Sequence, residues 1–388
     1  MTSRFGAFRT SFRTSTTFPS HSTTPPIFLP HIPTYLPEAA TMYLQPYSGY
    51  NQLNCFANAS YPWAITLEEH WTSKAALPSE PARYHPLEGF INAILPQLSD
   101  LYDGRVADLD NNGIAIQVVS HSPGANLTNS QVQDANNELA TAIKAHPNRL
   151  AGFALLPMAD PVAAINELDR CINQLGFVGA LVDNHVDQNF YDSSAYDPFW
   201  SKLVDLDVPI YIHPTFPSEL MKEALYTGGG LDANPAAEAA IGTYGLGWHS
   251  STANSLLRLL GAGVFDRHKD LKVIIGHTGE TLPIMFQRID RISTFWVTGR
   301  NFSDVMRNNV WITTSGMFDI PSLKNVQNWM PMDRVMLSVD YPYSQNALAR
   351  TYLNQIAQAG ALSPKDLQNF ACGNAQKLLF NRKRPTML

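Results

Sequence analysis

Short apolar runs that end in a histidine or a carboxylate recur along the chain. Four of them stand out: Trp63-Ala64-Ile65-Thr66-Leu67-Glu68-Glu69-His70, Ile210-Tyr211-Ile212-His213, Val273-Ile274-Ile275-Gly276-His277 and Val335-Met336-Leu337-Ser338-Val339-Asp340. Near-continuous apolar runs of this length predict buried parallel strands, and the polar residue comes last, where such a strand leaves its sheet. Further strands are predicted at Ile114–His121, Arg149–Pro157, Gly179–Asp183 and Val310–Ser315. Helical patterns fall between them, over about 95–110, 129–145, 160–175, 197–206, 252–265 and 280–292, with closing helices to about Phe380. Asp160-Pro161 has the N-cap and first-turn order of a helix start.

Eight strands separated by helices predict an α/β fold, a closed (β/α)8 TIM barrel, over an open doubly wound sheet. An open sheet would carry a Gly-rich phosphate loop after its first strand, and Trp71-Thr72-Ser73 follows here instead. Two insertions interrupt the alternation, Trp71 to about Leu95 after strand one and Pro214 to about Ser251 after strand five. Both lie on the side where barrel enzymes build their sites.

Residues 1–60 differ from 61–388, which form the expected catalytic barrel. The first segment is rich in Ser, Thr and Pro, holds Arg4, Arg9 and Arg13, and has no acidic residue before Glu38. That composition fits a disordered extension or a targeting-like segment, and Met42 offers an alternative start. The expected location is cytoplasmic, with mitochondrial import as the alternative. A net charge of −6 argues against nucleic acid or an anionic membrane as the main partner, and no apolar stretch reaches membrane-span length. Three cysteines, far apart, are too few for a disulfide framework or a zinc ribbon.

A barrel would bring Glu68, His70, His213, His277 and Asp340 to one mouth, a donor set that suits a divalent metal ion. Residues two apart share a strand face, so Glu68 and His70 point together and Glu69 points to the helical shell. Each residue alone also fits a satisfied core polar group or a buried ion pair. Their joint place at strand ends carries the metal reading. Glu280, one helical turn from His277, is placed to hold that imidazole.

Together with Leu67-Glu68-Glu69-His70, the motifs Tyr211-Ile212-His213-Pro214, Gly276-His277-Thr278-Gly279-Glu280 and Ser338-Val339-Asp340-Tyr341-Pro342 resemble the amidohydrolase superfamily. The resemblance is to its nonoxidative aromatic-acid decarboxylase branch (2,3-dihydroxybenzoate, γ-resorcylate and salicylate decarboxylases). It runs from about Trp63 to Phe380, through Gly152–Pro157, Leu175–Leu181, Thr313–Gly316 and Gly373-Asn374-Ala375. It implies a metal-dependent decarboxylase of a hydroxyaromatic acid, with Zn2+ or Mn2+ held by Glu68, His70, His213 and Asp340. Asp340, His277 and Glu280 would be the catalytic residues, and Trp71, Arg288 and Tyr343 would contact the substrate. The resemblance also implies a homo-oligomer, dimer or tetramer. A hydrolase of a lactone or amide, using metal-activated water, is the alternative. Asp340-Tyr341-Pro342-Tyr343 and the strand end Ser120-His121-Ser122-Pro123 depart from the family pattern on the pocket wall, where the substrate is chosen.

Overall fold

The computed structural model describes residues 63–380. The expectations for residues 1–60 lie outside the described residues.

Eight parallel strands follow in chain order: β1 Ala64–Trp71, β2 Ile114–His121, β3 Leu150–Ala154, β4 Gly179–Asp183, β5 Ile210–His213, β6 Val273–Ile275, β7 Val310–Thr313 and β8 Val335–Met336. Each strand pairs with the next, from β1–β2 to β7–β8. Alternation sorts their side chains into two cores. Ile65, Leu67, Ile116, Val118, Phe153, Leu181, Tyr211, Ile274 and Met336 meet one another inside the barrel. Leu378 and Leu379, from the C-terminal helix Asn374–Leu379, join this inner cluster. The intervening residues, such as Ile210, Ile212, Val273 and Ile275, pack with the helices in a larger outer layer.

The barrel closes at a seam between β8 and β1. The amide of His70 donates to the carbonyl of Tyr341 at 2.6 Å, and Glu69 and Tyr341 form an isolated parallel bridge. Side chains do the rest. The Ser338 hydroxyl accepts the amides of Leu67 and Glu68 (2.9 and 2.7 Å) and donates to Glu69 Oε1 at 2.8 Å. Glu69 also accepts the amides of Val339 and Tyr341, each at 3.0 Å, and the Gln117 side chain at 3.3 Å. Glu69 therefore lies in the seam between the first and last strands, as well as on the face opposite Glu68. Burial pushes its carboxyl up to about 8, against those donors, which favour the anion. Glu69→Gln would turn an NH2 group toward a backbone N–H whichever way its amide points. We expect a stability loss of about 1–3 kcal/mol or more in denaturant unfolding. An unchanged midpoint would show that the seam does not depend on this carboxylate.

Two boundaries differ from expectation. The helix expected over 95–110 is two, Glu88–Ser99 and Asp103–Asn112. Asp100 breaks them: its backbone is extended, and its carboxylate caps the amide of Tyr102 at 2.7 Å. The insertion after β5 contains helices Glu219–Leu225 and Pro235–Gly242, and the next helix, Gly247–Gly261, starts five residues earlier than the pattern implied. That earlier start carries His249 into its first turn.

Candidate metal centre and aromatic mouth

Glu68, His70, His213 and Asp340 converge: one donor atom from each lies within 4.8 Å of the others. Their local backbones explain the aim. Glu68 and His70 sit two apart at the end of β1, and His213 closes β5. Asp340 follows β8 with φ of 71°, a left-handed backbone that turns its carboxylate back over the mouth.

The tautomers follow from the hydrogen bonds. His213 Nδ1 donates to the Pro214 carbonyl at 2.6 Å, and His70 Nδ1 faces the His121 carbonyl at 3.3 Å. Each ring then presents an Nε2 lone pair to the centre. His213 Nε2 lies 3.1 Å from Glu68 Oε1, and His70 Nε2 lies 3.3 Å from Asp340 Oδ1, so lone pair meets lone pair. Glu68 Oε1 and His70 Nε2 are buried and lack a hydrogen-bond partner. Such a gathering of acceptors asks for a cation, and two carboxylates with two neutral imidazoles match the charge of a divalent one. Protons compete for the same place. Burial opposes ionisation of Glu68, but His277 and His213 hold its carboxyl well below the usual range. Burial likewise opposes charge on His213, yet Glu68 raises it.

The other oxygen of Glu68 is fixed from beneath. Tyr211 Oη donates to Glu68 Oε2, Thr313 Oγ1 reaches it at 3.2 Å, and Thr313 is linked to Ser315 at 2.9 Å. Gly276 makes room for this arrangement: a Cβ there would stand 2.5 Å from Glu68 Oε2 and 2.8 Å from Tyr211 Oη.

His277 lies two residues beyond the end of β6, in a run of four left-handed residues, His277, Thr278, Gly279 and Glu280, with φ from 48° to 85°. For L-residues this costs roughly 1–2 kcal/mol each. The bonds from Gly279 N to Gly276 O (2.7 Å) and from Thr278 N to Thr313 O (2.8 Å) hold it. The expected His277–Glu280 pair forms, at 3.0 Å, through this left-handed turn and not along a helix. His277 Nε2 faces Glu68 Oε1 at 3.5 Å and Asp340 Oδ2 at 4.0 Å. Burial opposes its cation, but Glu68 and Glu280 push the imidazole up to about 10. Glu280, in turn, is opposed by burial and held low by His277 and His249.

His249 is the residue sequence reasoning missed. Its Nδ1 lies 2.7 Å from Glu280 Oε2, so Glu280 is shared by two imidazoles. No strand-end signal marked it, because it lies inside an insertion.

The two insertions meet over the mouth through aromatic rings. His70 contacts Tyr343 (centroids 5.5 Å apart), Tyr343 contacts Tyr84 (5.8 Å), Tyr84 contacts Phe216 (4.9 Å), and Phe216 contacts Trp248 (5.4 Å). Tyr84 and Tyr343 also join their hydroxyls. A 390 Å³ cavity lies between the insertions, lined among others by Arg83, Tyr84, Phe216, Tyr226, Tyr244 and Trp248. Arg83 donates through one nitrogen to Glu80 and Ser122, whereas its Nε and Nη1 are buried without a partner.

The remaining expected contact residues divide. Tyr343 lies beside His70. Trp71 does not join it: strand alternation turns its side chain to the outer layer, where its ring packs on His121 at 5.2 Å. Arg288 stands exposed on the outer helix Leu282–Ser293, and no hydrogen bond or ion pair holds it among the described residues.

The profile of the family described as Amidohydrolase matches residues 92–380. Decarboxylase orsB of Emericella nidulans is 38% identical over 327 residues, covering 82% of this chain and 97% of that protein. A γ-resorcylate decarboxylase of Polaromonas is 34% identical over 337 residues, covering 81% and 97%. Among solved structures, a 2,6-dihydroxybenzoate decarboxylase in complex with 2,6-dihydroxybenzoate is 30% identical, with a TM-score of 0.71 over 81% of this chain and 98% of that one. The dihydroxybenzoic acid decarboxylase of Polaromonas, solved with manganese and the inhibitor 2-nitroresorcinol, is 30% identical with a TM-score of 0.73, covering 84% and 99%.

Proposed function

The chain belongs to the amidohydrolase family, among relatives that are aromatic-acid decarboxylases, and on that premise we propose that it is a divalent-metal-dependent decarboxylase of a hydroxyaromatic carboxylic acid. The observation that carries this reading is the cluster of Glu68, His70, His213 and Asp340 beneath an aromatic mouth. These four residues would hold Zn2+ or Mn2+. When bound, such an ion would supply positive charge that attracts the substrate's oxygens and favours the phenolate. Tyr343 and the rings of Tyr84, Phe216 and Trp248 suit one flat apolar ring, and the unpaired edge of Arg83 suits an oxygen substituent on it.

Loss of CO2 requires a proton on the ring carbon that bears the carboxylate. Asp340 in its acid form delivers that proton and is left as the carboxylate; aromaticity is broken, and heterolysis of the carbon–carbon bond releases CO2 as its electron pair restores the ring. His277, oriented by Glu280 and held protonated beside Glu68, relays the proton that restores the acid form of Asp340. The hydrolase alternative would use the same four ligands and consume water.

The test combines metal analysis of the purified protein with a CO2-release screen over salicylate, the dihydroxybenzoates and orsellinate. The expected result is close to one divalent ion per chain and CO2 from at least one of these acids. Metal-loaded protein that releases no CO2 but opens a lactone or amide would replace this reading with the hydrolase.

Self-association as a dimer or tetramer belongs to the same proposal. Ile284 (79% exposed), Met285, Ile292 and Phe295 (81% exposed) stand out from the outer helix that carries Arg288 and its end, and a second copy would cover them. Cytoplasmic location, with mitochondrial import as the alternative, completes the proposal; a fluorescent fusion would decide it. Among the described residues no helix is long and apolar enough to cross a membrane.

A further inference from the structure

We propose that His249 is a positioning residue: it fixes the carboxylate of Glu280, through it the ring of His277, and ties that pair to the insertion that walls the substrate cavity. The proposal rests on the reading of His277 as the proton-handling group.

The Glu280 side chain is fully buried, and each of its oxygens has one imidazole partner. Oε1 takes His277 Nδ1 at 3.0 Å, and Oε2 takes His249 Nδ1 at 2.7 Å. A carboxylate held at both oxygens cannot rotate about its terminal bond without breaking one of them. The ring it orients is then fixed in plane as well as in position. The His249 and His277 rings also pack edge to face, with centroids 4.7 Å apart. His249 is itself held at its far side, where Nε2 donates to the Tyr244 carbonyl at 3.1 Å. Both ring nitrogens therefore face acceptors.

Tyr244 and Trp248 line the cavity between the insertions, so His249 is bonded to one residue of that wall and adjoins another. Helix Gly247–Gly261 begins at Gly247, whose hypothetical Cβ would stand 2.1 Å from the Gly242 carbonyl oxygen, so helices Pro235–Gly242 and Gly247–Gly261 are closely joined there. One imidazole thus spans from that wall to the left-handed turn bearing His277 and Glu280. Without it, Glu280 Oε2 would be buried and unpaired, and the His277 ring would lose its reference.

Three variants separate the two bonds. Asn places its amide near the ring's Nδ1 and keeps the bond to Glu280, whereas Gln reaches the Nε2 position and keeps only the bond to Tyr244. Turnover of 2,6-dihydroxybenzoate, salicylate and orsellinate, metal content, and crystal structures are measured on full-length, metal-loaded protein. His249→Ala and His249→Gln should lower kcat by up to about 10²-fold with KM changed little and metal content unchanged, while His249→Asn recovers most of kcat. In the His249→Ala crystal structure, the Glu280 carboxylate should rotate and His277 should leave hydrogen-bond distance of it. A His249→Ala structure that keeps the His277–Glu280 bond in place overturns the proposal, whatever the activity. So does wild-type kcat in that variant, or equal losses in Asn and Gln. Wild-type protein that binds metal yet releases no CO2 would instead defeat the decarboxylase reading, and the crystal structures would still decide the role of His249.

Discussion

Asp340→Asn protein should keep much of its metal and lose nearly all turnover. The amide oxygen still offers a ligand atom, and Glu68, His70 and His213 are untouched, but an amide cannot carry the proton that the ring carbon needs. Asp340 is suited to both tasks by its place. Its Oδ1 lies 3.3 Å from His70 Nε2, within the ligand cluster, while its side chain keeps 18% exposure, the most open of the four. General acid–base groups contribute ~10²–10⁴-fold, and a loss of that size is expected. His277→Asn should fall by a similar factor with metal content near normal, since His277 faces Glu68 Oε1 at 3.5 Å but lies outside the four-ligand set. Metal content and CO2 release on the same preparations check both. Near-normal turnover in Asp340→Asn would remove the proton role, and metal loss in His277→Asn would move that histidine among the ligands.

Gly276→Ala should empty the metal centre without touching any ligand. The added methyl would stand 2.5 Å from Glu68 Oε2 and 2.8 Å from Tyr211 Oη, distances that real contacts do not show. Tyr211 is fully buried and bonded to both Glu68 and Thr313, so it has little room to retreat. The strain falls on Glu68, which must swing its carboxylate off the Tyr211 and Thr313 hydroxyls that aim it. We expect metal stoichiometry to drop several-fold, turnover to drop in proportion, and the far-ultraviolet circular dichroism to stay that of the parent. Wild-type metal content in Gly276→Ala would show that Glu68 is not held in the way described.

Much of this architecture was legible in the sequence, for a physical reason. Strands buried on both faces must be apolar throughout, so a polar last residue stands out: His70, His213, His277 and Asp340 are each marked that way, and Glu68 by sharing a strand face with His70. Side chains whose roles depend on tertiary approach carried no such mark. Trp71 reads as a neighbour of His70 in sequence, yet period-two alternation sends it to the other face. His249 and Tyr84 lie in insertions with no regular period, and only the packing of one insertion on the other brings them to the mouth. Glu69 was placed on the correct face, but its task depends on Ser338, Val339 and Tyr341, at the other end of the chain. The His277–Glu280 spacing implied a helical turn. The pair forms in a left-handed one, because spacing alone does not encode handedness.

The seam between β1 and β8 has a consequence for the order of events during synthesis. Leu67 and Glu68 donate their amides to Ser338, across 271 and 270 positions of chain, and Glu69 waits for the same stretch. On a ribosome, every strand but the last can emerge while the Glu69 carboxylate still lacks Ser338, Val339 and Tyr341, whereas the Glu68 carboxylate already has Tyr211 and Thr313. Asp340 is also among the last residues of the barrel to leave. With the proposed ligand set metal acquisition is then a late event, and a chain stalled or cut short before Ser338 carries the unreceived acid Glu69 on its first strand. Such a fragment would be a ready client for chaperones and proteases.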